Sequence, residues 1–195
     1  MIPSPDSDLF THIRVVMGMV LGLGVSKLLT GFAGLVQYPG RYRLSVTHLL
    51  WAACILLDLI MFWWWEFALK RIETWSFALF LFIIVYTILL YLLAALLFPD
   101  SIDEYGGYEA YLIRRRYWFF GLLAATFVLD AIDTHIKGEA YWQLWRTYEL
   151  VETPFGLLLC AVACATSNRR VHLGIASAYG IHQCVWIVRS IQSMA

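Results

Sequence analysis

The sequence predicts an all-α, polytopic integral membrane protein: one domain, a bundle of about six transmembrane helices joined by short loops. Three observations predict it. Hydrophobic residues make up 61% of the 195 positions, more than a soluble domain carries. They gather into six continuous stretches, most of them near the roughly 20 residues a spanning helix needs. The runs do not alternate in polarity, which argues against a β-barrel. Several runs also hold a charged residue near their middle, which a bilayer tolerates only where it faces protein or water.

The first span reads as Leu9–Val36. It carries Gly18, Gly22, Ser26, Thr30 and Gly34, each four residues apart. Steps of four drift slowly around an α-helix, so these small residues form one stripe where another backbone can approach. That predicts a helix-packing seam, within the bundle or between subunits. The second span, Leu44–Leu69, holds Asp58 and ends in Trp63, Trp64 and Trp65. With Trp75, Trp142 and Trp145, these tryptophans are expected at one membrane interface. The third span, Trp75–Phe98, has only Tyr86, Thr87 and Tyr91 as polar residues from Phe77 onward. It is expected to be the most lipid-exposed helix.

The fourth span, Tyr117–Asp133, is short and ends in acids. The fifth, Tyr148–Thr166, is apolar only from about Pro154, so its first turns are expected at the interface. Five spans and a re-entrant segment is the alternative count. The connections at 99–116 and 134–153 each have room for an interfacial helix. The sixth span, Val171–Ile191, places His172, Tyr179, His182, Trp186 and Arg189 on one side, flanked by Gln183, Ser190 and Ser193. Ile175, Ile181, Val185 and Val188 form the opposite, apolar side. A helix with that polar side is expected to line an interior, a cavity or a subunit interface.

The N-terminal MIPSPDSD lacks the features of a cleaved signal peptide, so the first span is expected to be retained. Net charge is zero, which gives no argument for nucleic acid. Cys54, Cys160, Cys164 and Cys184 all fall inside spans and are expected to pack as small apolar groups. Arg41, Arg43, Arg114, Arg115, Arg116, Arg169 and Arg170 gather on one side of the membrane. Lys70, Arg71, Lys137 and Arg146 lie on the other, with Arg14 and Arg189 near span ends. The excess favours the first side as cytoplasmic, with both termini outside. A multi-pass protein of the plasma (inner) membrane is expected.

Lys27, Asp58, Tyr86, Cys160 and His182 fall near the middle of their spans. A Lys or Asp at the centre of a lone helix costs roughly 2.5–3.5 kcal/mol, so two at one depth call for partners. Lys27 and Asp58, on adjacent spans, are the expected ion pair, with His182 a third polar member. Read functionally, they form an ion or proton pathway. Asp58 would hold or relay the cation or proton, because burial disfavours the charged form of a carboxylate. His182 would relay protons near neutral pH. Lys27 would set selectivity. Thr126, Asp130, Asp133, Thr134 and His135 form a second cluster, with Asp130 as a pathway mouth and Glu66 extending it. Arg189 lies along the same sixth-span side.

The leading functional expectation is therefore a small ion or proton channel or transporter, working as a homo-oligomer in the lipid bilayer. A membrane scaffold or accessory subunit is the alternative. Third comes a b-type haem protein, with His48 and His172 at similar depth, or an intramembrane enzyme built from Asp58, Asp130 and His182. No HExxH, GxSxG or P-loop motif supports enzyme chemistry, and no cofactor or metal is expected.

Overall fold

A computed structural model describes residues 5–194 apart from 39, 41, 42, 73 and 74; side chains are described over residues 10–189, Arg71 excepted. Arg41 and the side chains of Arg71, Ser190 and Ser193 lie outside the described residues. Among the described residues the chain is helical and forms no strand. The elements are α1 (Pro5–Gln37), α2 (Val46–Trp65), α3 (Phe77–Leu97), α4 (Tyr108–Arg114), α5 (Arg116–Ile136), α6 (Glu139–Ala165) and α7 (Arg169–Met194). Short 3₁₀ turns, Glu66–Arg71 and Asp103–Tyr105, follow α2 and precede α4. All but α4 are long and apolar enough to cross a membrane.

Local chemistry sets several boundaries. Ser45 and Ser76 cap α2 and α3, their hydroxyls accepting the backbone N–H of His48 at 3.3 Å and Leu79 at 3.1 Å. Between α5 and α6 the chain reverses at Gly138, whose φ of +104° suits a residue without Cβ. The turn is that abrupt because α6 begins at Glu139, nine residues before the expected fifth span. No separate interfacial helix forms over 134–153, and α6 is one continuous helix through Pro154 with no re-entrant segment. One side of the polar N-terminal half of α6 faces protein, as described below. The connection at 99–116 does hold a short helix, α4.

Helices α2, α3, α5, α6 and α7 form a ring, with α5 packed extensively on α6 and α7 leaning mainly on α2. The contact between α6 and α7 is sparse by comparison. Helix α1 stands outside this ring, laid against α2 and α3. It docks through Ile13, Met17, Leu21, Gly24 and Leu28, all buried. The expected seam is not the docking face: Gly22, Ser26 and Thr30 are exposed, and a Cβ on Gly22 or Gly34 would meet nothing within 4 Å. The close approaches are made instead by Gly24, against Leu59 and Ala94, and by Gly31, against the ring of Phe98.

The third helix is not the most lipid-exposed element. It touches α1, α2 and α5, and buries Ile83, Tyr86, Thr87, Leu90, Leu93 and Ala94. Sparse polarity misled here, because in lipid the interior of a bundle is no more polar than its surface unless function demands it. On α7, Ile181, Val185 and Val188 face outward as expected, whereas Ile175 is buried. Cys54 and Cys160 are buried, while Cys184 is exposed on the outer side of α7.

Candidate functional site: an acidic cavity with an aromatic rim

The ring of helices encloses a cavity with about 970 Å³ of atom-free space, its open mouth included. Four of its lining residues are carboxylic acids, one from α2, one from α5 and two from α6: Asp58, Asp130, Glu149 and Glu152. The register of α6 explains the last two. Tyr141, Trp145, Tyr148, Glu149 and Glu152 recur at helical spacing and all line the cavity.

Every one of these acids meets uncharged donors or an imidazole. Asp58 accepts from the Tyr179 hydroxyl at 2.8 Å and from Gln183 Nε2 at 2.5 Å. Asp130 accepts from the Tyr86 hydroxyl at 3.1 Å. Glu149 accepts from Thr134 at 2.9 Å and Thr153 at 3.4 Å. The Glu152 carboxylate lies 3.8 Å from His182 Nδ1, and the other ring nitrogen, Nε2, is 2.8 Å from the Tyr148 hydroxyl. Gln183 is fixed by a second bond, Nε2 to the Cys54 carbonyl at 3.1 Å, so its Oε1 is free to accept. That oxygen, Glu152 Oε2 and Trp65 Nε1 are buried without a hydrogen-bond partner.

One lysine lines the cavity, and its charge is already committed. Lys137 Nζ is 3.0 Å from Glu66 and also contacts Asp133. All three side chains are almost wholly inaccessible. Burial alone would push the Lys137 amine down, but the carboxylates of Asp133 and Glu66 outweigh this and hold it above the ordinary lysine value. Two carboxylates on one ammonium leave the group acid-rich, and Glu66 Oε2 and Asp133 Oδ1 have no partner of their own.

Aromatic rings frame the same space. Trp186 stacks on Trp145 with centroids 5.6 Å apart and meets Trp65 edge-on at 4.5 Å. These residues lie toward the end of α2, the start of α6 and the C-terminal half of α7, so Trp65 and Trp145 share a side as expected. Beyond Asp58 lies a packed aromatic cluster. Tyr179, which holds Asp58, packs against Trp51, and Trp51 packs edge-on against Phe119 and Phe120. Trp51, Phe119 and Phe120 are all fully buried.

Several expected site residues thus converge: Asp58, Asp130 and His182 line one cavity. Lys27 does not join them. Its amine reaches Asp100 at 2.5 Å, beyond the end of α3, because α1 lies outside the ring. The Asp58 pair is formed with Tyr179 and Gln183 instead. That same Lys27 amine holds the exposed Asp100 carboxyl below its ordinary value. Arg189 is exposed on α7 and is not among the cavity-lining residues.

In the second cluster, Thr126 bonds the Leu123 carbonyl, Asp133 is buried on Lys137, and His135 turns outward against Trp142. Among the described residues no three His, Cys, Asp or Glu side chains converge as metal ligands. The histidines considered for haem are engaged elsewhere. His48 Nε2 meets the Leu97 carbonyl at 2.6 Å, and His172 Nε2 meets that of Thr166 at 3.0 Å. Arg116 ties α5 to the end of α6 through the Cys164 carbonyl at 3.0 Å.

Sequence reasoning missed Glu149 and Glu152. Their i, i+3 spacing beside Tyr148 and Trp145 was the available signal, hidden because that stretch is too polar to read as a span. No family model, curated protein or solved structure matches the chain.

Proposed function

We propose that this chain is a multi-pass protein of the plasma (inner) membrane that moves protons or small cations through the cavity between α2, α5, α6 and α7. One observation carries the reading: four interior carboxylic acids face one imidazole and a lysine already committed to two other acids. Unpaired buried charge is expensive, so such acids must take up protons or a cation. Groups that alternate between those two states are the elements of a coupled transport site. Asp58 is the one of them on α2, with Tyr179 and Gln183 as its orienting donors. His182, between Tyr148 and Glu152, is the natural proton shuttle. Asp130 and Glu149 line the approach.

The test is flux into proteoliposomes under imposed pH and potential gradients. Wild type should pass protons or a monovalent cation above empty liposomes, and Asp58→Asn and His182→Ala should abolish or strongly slow it while remaining folded. Flux equal to that of empty liposomes under every gradient would sink the proposal.

A second reading, docking to another copy or to a partner, draws on the exposed face of α1, where Gly22, Ser26 and Thr30 lie open. Homo-oligomerisation through that face is compatible with transport, since α1 is outside the ring. Gly22→Leu should then shift the detergent-solubilised mass to a smaller species without altering the cavity.

A further inference from the structure

We infer that the cavity binds a protonated organic amine with an aromatic or similarly apolar body. This deepens, and rests on, the reading of the cavity as a cation path.

Acidity alone would suit any cation. Two further features narrow the class. The first is the Trp65–Trp186–Trp145 group, continued by Tyr148, whose ring lies 6.2 Å from that of Trp145. Indole and phenol faces attract cations through their quadrupole and offer an apolar surface to a hydrocarbon body. Hard metal ions prefer shells of six or more oxygens. The four acids here are instead held separately by donors from several helices, and no trio of ligands converges among the described residues. A proton relay, for its part, has no need of a tryptophan frame.

The second feature is Gln183. Its residue is only 9% exposed and lines the cavity, and its Oε1 accepts no hydrogen bond. The amide orientation is fixed because Nε2 donates to both Asp58 and the Cys54 carbonyl. A neutral acceptor beside a carboxylate matches an ammonium N–H, which brings both the charge and the donor. A quaternary ammonium would supply only the charge, and a neutral alcohol only the donor.

The test uses 2-phenylethylamine at neutral pH, where it is protonated, titrated calorimetrically into the purified full-length protein in a neutral detergent. Micelles without protein set the baseline, and 2-phenylethanol is the uncharged comparison. Saturable binding is expected for the amine only. Gln183→Met and Trp145→Leu should each weaken it about tenfold or more, the size of a lost charge-assisted hydrogen bond or desolvated cation–π contact. Trp118→Leu, on an exposed residue outside the cavity, should bind as wild type and controls for the loss of a tryptophan. Circular dichroism melting checks that each variant is folded, and Trp145→Phe provides a gentler change should Trp145→Leu fail.

Equal binding of 2-phenylethanol would overturn the inference. So would unchanged affinity in both cavity variants, or no saturable binding up to about 10 mM. Proton or cation flux without amine binding would sink this inference and leave the transport proposal standing. Amine binding without any flux would do the reverse.

Discussion

Lys137 carries more than its position between two helices suggests. Its ammonium is the only cation among Glu66, Asp133 and itself, and all three are buried. Replacing it with Met would leave two carboxylates facing each other in a low-dielectric interior, at a cost of about 3–5 kcal/mol. Lys137→Met is therefore expected to lower the unfolding midpoint in detergent sharply, and the double change with Glu66→Gln to recover much of the loss. If the single and double variants melt alike, the charge argument is wrong. At the far side of the molecule, the Asp100 carboxyl is depressed by Lys27. A depressed carboxyl favours the pairing above its ordinary value, and the favour is lost as pH falls through the lowered value. Lys27→Met should move the Asp100 titration upward in carboxyl-carbon NMR; an unmoved titration would mean the contact is not kept in solution.

At the scale of elements, α1 separates two kinds of small residue that look alike in sequence. Gly31 sits where a Cβ would collide with the Phe98 ring, whereas Gly22 and Gly34 face open space. Gly31→Ala is expected to destabilise by about 1–3 kcal/mol, as overpacking does. Gly22→Ala and Gly34→Ala should leave unfolding in detergent unchanged. A regular four-residue step announced a stripe, and the stripe exists, but it turns away from the bundle; periodicity tells which residues share a face, not what that face meets. Helix α6 shows the opposite failure. Glu149 and Glu152 make its first half too polar for a span read by hydropathy alone, yet the half is helical and those acids face the cavity. Thr153 and Thr134 meet Glu149 there, and Gly156 lets the helix close on the Phe127 ring. Asp58 was legible for the complementary reason: it is a lone charged group in an apolar run, so depth alone marked it, while His182 was marked by the polar side of the last helix.

For the molecule as a whole, six long apolar helices were plain from composition and continuous runs, while the order in which they surround the cavity was not. Lys27 and Asp58 are neighbours in sequence terms, on consecutive spans of similar depth, and still do not meet. Which helix stands outside the ring depends on side-chain fit, as between Gly24 and Leu59, which no span-by-span reading contains. If the cavity is a transport path, Glu152→Gln should slow proton flux in proteoliposomes while leaving the mass and melting of the protein unchanged. It removes the carboxylate that faces the His182 ring, so flux at the wild-type rate would exclude the His182–Glu152 pair from the path.

If the cavity is the transport path proposed above, the buried cluster of Trp51, Phe119 and Phe120 would limit its speed. For cargo to go past Tyr179 the packed rings beyond it would have to part, so each passage would wait for a rearrangement. A carrier built that way would count its cargo one rearrangement at a time, on the microsecond-to-second scale of helix motions, and its rate would level off as cargo is added. It would behave as a turnstile, its throughput set by how often Trp51 let go of its neighbours.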